Sequence, residues 1–341
     1  MDRRGVLAEL LDRQRAYHAE YRGGLSNHLP MALVALERMG APPERLRGYA
    51  RLYERRLEAA PEEGRALPAA EWRRLLGRKG HFGEFLATFR ADIERAGWQA
   101  VLRDALPALM PGCAAAAFHP MIRLGYAIEA EAEGEMAIAL AYWASRHLPL
   151  RAVHGPDIGA VSDDPEALLA RLSADPALVH QPDADALIDA EMKKATDVAG
   201  FAPVAGWLAI TPETPRRLAR AALRVYAGTG DFTALHMVTG VHAARIVLPW
   251  CEDRELVLRA LWQALAAAYL SIGKPPIPEA PMADAPAPPA WPALLARVSD
   301  LADEHAIKLV YSCWVEDQAY ADPLYRTVAE SAVRSQMSEV R

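Results

Sequence analysis

LVLRALWQALAAAYLSI, Leu256 to Ile272, is the longest apolar stretch of the chain, and its reading decides the fold class. Alanine and leucine dominate it, and both favour helix, whereas a buried strand draws on β-branched residues. Arg259 and Gln263 lie inside it, so it reads as a buried amphipathic helix and not as a membrane span. Directly after it comes KPPIPEAPMADAPAPPAWP, Lys274 to Pro292. So much proline cannot continue a helix, and residues 274–292 are expected to form an exposed polyproline-like connector.

Helical segments punctuated by Pro and Gly extend outward in both directions. Upstream, Thr214–Tyr226 and Phe232–Leu248 precede Glu252–Leu270; downstream, Ala293 to about Ala319 is followed, after Pro323, by Leu324–Met337. Toward the N-terminus the spacing predicts helices over Met1–Tyr21, Pro30–Met39, Pro43 to about Leu57, Trp72–Leu76, Phe82–Ala96, Trp98–Leu109 and Pro120–His147. Between Pro149 and Trp207, Asp- and Pro-rich turns separate shorter helices. No stretch shows strand alternation. The expectation is an all-α, multi-helical single large domain over residues 1–341 with a buried central site.

The 341 residues carry 52% hydrophobic and 24% charged side chains and a net charge of −6, the balance of a soluble globular protein. With no basic stripe, nucleic acid is not an expected partner. MDRRGVLAELLDRQRAYHAEY has no apolar h-region, so a signal peptide is not expected, nor is a membrane association. Cys113, Cys251 and Cys313 share no CxxC spacing, which points to a reducing, cytoplasmic setting. The common cofactor loops are missing: Gly228-Thr229-Gly230 lacks the third glycine of a dinucleotide turn, and no GxxxxGK[ST], GxSxG or HExxH occurs.

Histidine remains. His18, His81, His147, His154 and His180 sit among charged or loop residues, but His28, His119, His236, His242 and His305 lie in apolar contexts. A lone histidine of this kind is most often a satisfied core residue; five that converge point to a metal. His236 and His242 are six residues apart, about 120° around a helix axis, so they cannot face one point. His236 shares its face with Thr239, Gly240 and Ala243, small residues that leave room, and is the better ligand candidate; His242 is left beside it or in the core. His305 and Lys308 share a helix face. Taken by itself, Lys308 favours an ammonium reaching solvent along its aliphatic stem. The sharper alternative is a burial-depressed amine that takes up carbon dioxide as an anionic carbamate.

YHAEYRGGLSNHLPMALVALERMGAP (Tyr17–Pro42), the block from His81 to Glu129, LHMVTGVHAARIVLP (Leu235–Pro249) and HAIKLVYSC (His305–Cys313), in that order, resemble the questin oxidase-like proteins. The resemblance implies oxidative ring cleavage of an aromatic polyketide, with anthraquinones as type substrates, by a Baeyer–Villiger-like or dioxygenase reaction. It also implies non-haem iron held by four histidines and a carboxylated lysine, which map to His28, His119, His236, His305 and Lys308. Dioxygen and a small aromatic molecule become the expected partners, NADPH an external reductant, and a homodimer a compatible assembly. Tyr126, Trp143, Tyr311 and Trp314 are candidates for a flat aromatic pocket, though each also suits core packing. Asn27 reads as a helix cap or a ligand orienter, and Glu129 as an acceptor for an imidazole N–H or a solvated residue. A metal-free binding or scaffold protein and a zinc hydrolase are the alternatives.

Overall fold

A computed structural model of the chain describes residues 2–152, 161–183, 185–198, 200–277 and 288–339. The chain runs through α1 (Arg3–Asp12), a hairpin of β1 (Glu20–Tyr21) and β2 (Leu25–Ser26), α2 (Leu29–Arg38), α3 (Pro43–Tyr53), α4 (Ala69–Arg74), α5 (Phe82–Ala96) and α6 (Trp98–Leu109). Next come α7 (His119–Glu129), α8 (Glu133–Arg146), α9 (Pro165–Ala174) and α10 (Ile188–Thr196). The last are α11 (Thr214–Thr229), α12 (Phe232–Val247), α13 (Arg254–Ser271), α14 (Trp291–Val298), α15 (Glu304–Tyr320) and α16 (Leu324–Glu339). The architecture is all-α, and one connected apolar core reaches from Val6 to Val333.

Local chemistry explains the helix starts. Asp231 accepts from the N–H groups of Thr233 and Ala234, Asp253 from Leu256, and Asp303 from His305 and Ala306. Each carboxylate satisfies donors that the first helical turn leaves free and sits at the positive end of the helix dipole. In α13 every side chain from Val257 to Ser271 is buried. Arg259 is accommodated there by donating to the Leu208 carbonyl at 2.6 Å and to Glu255 at 2.8 Å. No helix among the described residues is long and apolar enough to cross a membrane.

Three expected helices are shorter than their periodicity suggests. The N-terminal helix stops at Asp12, and a hairpin pairs Glu20 with Ser26 and Tyr21 with Leu25, a small strand pair the sequence did not announce. Its turn is formed by Arg22, Gly23 and Gly24 at positive φ. The Pro120–His147 segment divides into α7 and α8 where Glu131 adopts φ 52°. Ala293–Ala319 divides into α14 and α15, the second restarted by Asp303. Within the proline-rich connector, residues 278–287 lie outside the described residues.

What positions the site is a ring of four helices: α2 packs on α7, α7 on α12, α12 on α15, and α15 back on α2. Glycines set the closest of these approaches. A Cβ on Gly125 of α7 would stand 3.2 Å from the Ala243 Cα of α12, and one on Gly240 would stand 3.0 Å from the Phe118 ring. Gly125→Val should therefore wedge α7 from α12 and destabilise the protein by about 1–3 kcal/mol, the usual result of overpacking. Urea denaturation measures it, and an unchanged midpoint would mean the helices give way freely at this point.

Candidate metal centre

Each of the four helices contributes one histidine to the middle of the ring. His28 immediately precedes α2, whose first turn is fixed by Asn27: the Asn27 side-chain oxygen accepts from the Leu29 N–H at 3.0 Å. The His28 N–H donates to the Tyr53 hydroxyl at 3.1 Å. His119 opens α7, His236 lies one turn into α12, and His305 is the second residue of α15. Ring centroids stand 4.6 Å apart for His28 and His119, 4.5 Å for His28 and His305, and 4.7 Å for His119 and His236. Ligand nitrogens of His28, His119 and His305 lie within 4.8 Å of one another.

The lysine completes the group. Lys308 is fully buried, and its Nζ lies 3.1 Å from His28 Nδ1, so the ammonium does not reach solvent. Burial lowers its pKa from 10.5 to about 7, with Glu304 and Asp303 drawing it part of the way back. Burial likewise holds His28, His119 and His236 well below the usual imidazole value, with Lys308 adding to the effect on each; His305 is lowered less, because Asp303 favours its charged form. The imidazoles are therefore neutral near pH 7 and keep a lone pair each.

The tautomers follow from the contacts. His236 Nδ1–H donates to the Phe232 carbonyl at 2.8 Å, and His119 Nδ1–H to the Ala116 carbonyl. Both Nε2 atoms are then unprotonated, and they face each other at 3.2 Å. Two lone pairs at that range repel unless a cation lies between them. Two nitrogens each about 2.1 Å from one ion, at an angle between square and tetrahedral, stand roughly 3.0–3.4 Å apart, so the spacing fits a shared metal. The donor set of neutral imidazoles fits iron, copper, nickel or zinc.

His119 is delivered at a cost. Ala116, Ala117 and Phe118 take φ values of 43°, 55° and 67° in succession, a left-handed turn that costs about 1–2 kcal/mol per residue without glycine. Such strain persists where the surroundings enforce it, and it clusters at functional sites.

Over the histidines lies a cavity of about 640 Å³, walled by the hairpin, by Ala116 and Ala117, by Pro182, Asp183 and Ala186 to Asp189, and by the starts of α12 and α15. Leu25, Leu187 and Phe232 are large apolar side chains left exposed on that wall. The Phe232 ring sits 4.7 Å from both His236 and His305. None of these three was singled out from the sequence, where an apolar residue in a loop or at a helix start looks like any other.

The remaining candidates fall elsewhere. His242 Nδ1–H donates at 2.7 Å to the Glu316 carboxylate, which also binds Arg245; it lies six residues beyond His236 along α12. Tyr126 and Tyr311 do not line the cavity: they contact each other with centroids 5.4 Å apart, and both contact the His242 ring. Trp314 packs on Tyr311, and Trp143 is core, its indole N–H donating to the Gly112 carbonyl. Glu129 accepts from the Tyr311 hydroxyl at 3.1 Å and approaches His242, not the clustered histidines. Apart from Trp143, which lies in α8, these side chains occupy later turns of α7, α12 and α15, which is why they form a second network apart from the first.

A family model described as questin oxidase-like matches residues 25–313 of the chain, a span that includes all four clustered histidines and Lys308. No curated protein matches it individually.

Without metal, the buried amine penalises the fold in a pH-dependent way. Between pH 7 and 10.5 the unfolded chain holds a proton on Lys308 that the folded one has released, so stability rises with pH across that window. Lys308→Met should raise the melting temperature of chelator-treated protein at pH 7.5 and flatten the rise toward pH 10. Equal slopes in both proteins would show that the amine is not desolvated.

Proposed function

The chain belongs to the questin oxidase-like family, and from that premise we propose that it is a non-haem iron oxygenase cleaving a ring C–C bond of an anthraquinone-like aromatic polyketide. Family membership supports the oxidoreductase class; the metal and the reaction are our reading. The observation that supports it most is the pair of unprotonated Nε2 atoms of His119 and His236 held 3.2 Å apart inside a buried ring of basic groups.

His28, His119, His236 and His305 would hold the iron. Lys308, largely neutral above pH 7, adds to carbon dioxide: an N–C bond forms, one proton leaves, and the anionic carbamate supplies an oxygen donor beside the imidazoles. Bound iron supplies the one-electron chemistry that lets dioxygen react with a closed-shell ring. Four imidazoles favour iron over a hydrolytic zinc, because four protein donors already close a tetrahedral zinc, whereas a six-coordinate ion keeps positions open.

The chain's own residues do the positioning. The cavity has the size of a small-molecule site, and its apolar wall at Leu25, Leu187 and Phe232 receives a planar ring and displaces water from the reacting face. The Phe232 ring, edge-on to His236 and His305, offers the substrate an aromatic partner beside the donors. The Nδ1–H bonds to the Ala116 and Phe232 carbonyls keep the His119 and His236 rings from turning away. Dioxygen as co-substrate, NADPH as external reductant and a cytoplasmic setting belong to the same proposal.

Metal analysis of protein purified without a histidine tag tests the centre. Near-stoichiometric iron that is lost in both His236→Ala and Lys308→Ala is the expected result. Zinc in its place would favour hydrolysis, and no metal with unchanged folding in both variants would favour a binding protein.

Phe232→Ala tests the cavity. It should weaken anthraquinone binding about three- to tenfold in a fluorescence titration, the scale of one lost aromatic contact. An unaltered Kd would place the ring elsewhere.

A further inference from the structure

The left-handed turn before His119 needs something to hold it, and the contact that does so comes from the cavity wall. Asp189, in the first turn of α10, accepts from the Ala116 N–H at 3.2 Å through Oδ2. The same oxygen accepts from Arg146 Nη2 at 3.0 Å. Arg146 is held from its other side by Glu20, 3.0 Å away, and Glu20 accepts from the Tyr142 hydroxyl, which is 2.8 Å from Ser26 Oγ. Asp189 and Arg146 are both buried, and both line the cavity. A continuous polar chain thus runs from β2 through α8 to α10 and ends on the backbone of the strained turn.

The turn in turn sets the ligand. The Ala116 carbonyl that accepts from His119 Nδ1 belongs to the residue whose N–H is bound by Asp189. We propose that Asp189 is a positioning residue: by binding Ala116 it holds the turn Ala116–Phe118 and with it the His119 ring, tying the cavity wall to the histidine cluster. The proposal rests on the metal reading above for its consequence, although the hold on the turn stands independently of any metal. It also assigns a role within Pro149–Trp207, where the sequence offers no recognisable motif. Leu187 and Ile188, the residues just before Asp189, line the same cavity, so a ring bound against them presses on the element that holds His119.

Asp189→Ala and Asp189→Asn in the full-length protein separate the possibilities, with two readouts. Amide hydrogen exchange of the peptide covering Ala116 to His119 reports the turn in metal-free protein. Cobalt(II) titration, followed by the visible ligand-field bands, reports the centre. In Asp189→Ala, exchange should quicken, cobalt affinity should fall about 10–100-fold as when an orienting partner of a ligand is lost, and the bands should shift while far-UV circular dichroism stays unchanged. Asp189→Asn, which keeps an acceptor for the Ala116 N–H, should restore most of the protection and the native bands. Unchanged exchange in Asp189→Ala overturns the proposal, and so does faster exchange with unaltered affinity and spectrum. If the wild-type protein binds no cobalt, the metal reading fails, and exchange alone decides whether Asp189 holds the turn. Should Asp189→Ala not fold, the comparison is made in an Ala117→Gly background, where glycine adopts the positive φ without strain.

Discussion

Everything at the centre of this molecule follows from burying basic nitrogens together. His28, His119, His236 and Lys308 are enclosed by α2, α7, α12 and α15, and their side chains meet backbone carbonyls and one another. Burial penalises their charged forms, and their mutual repulsion adds to it. A protein interior gains nothing in stability from such a group. Alanine or leucine at these positions would fill the same ring of helices at lower cost, so packing does not explain the arrangement.

The fold is organised to keep that group apart from the other buried charges. One network uses the starts of α7, α12 and α15; the second uses their later turns, where Glu316 holds His242 and Arg245 and Glu129 meets Tyr311. In the second network carboxylates bind a histidine and an arginine directly, whereas in the first the acids Asp303 and Glu304 lie only at the His305 edge of the clustered bases. Helical periodicity enforces the division: six residues from His236 to His242 carry the side chain to another face of α12 as well as along its axis.

Much of this was legible in the chain. Alanine- and leucine-rich periodicity gives the helices, and apolar surroundings mark out the histidines that come together. Convergence was not legible, because residues 28, 119, 236 and 305 meet only through the closed ring of helix contacts. The run Ala114 to Ala117 is more instructive. Alanine propensity argues for helix there, yet Ala116 and Ala117 turn left-handed; a long-range bond from Asp189 overrides the local preference, which no window around the alanines contains. Lys308 shows the same limit. Its aliphatic neighbours are equally compatible with an ammonium reaching water, and only the packing of α15 against α2 shows that no path to solvent exists.

With the proposed metal, these constraints would link fold, proton and cation in one balance. Because the folded imidazoles have depressed pKa values, the unfolded chain binds more protons as pH falls through the ordinary histidine range, and metal-free protein loses stability in that direction. A cation that binds only the folded arrangement opposes the loss by mass action, and it replaces lone-pair repulsion with coordination. In the proposed centre a lysine suits the remaining place better than a permanent carboxylate would. An aspartate beside four imidazoles would raise their pKa values and draw protons onto the nitrogens that must stay free. An amine that is largely neutral above pH 7 leaves those lone pairs open, and as the proposed carbamate it would carry negative charge only once carbon dioxide had been taken up.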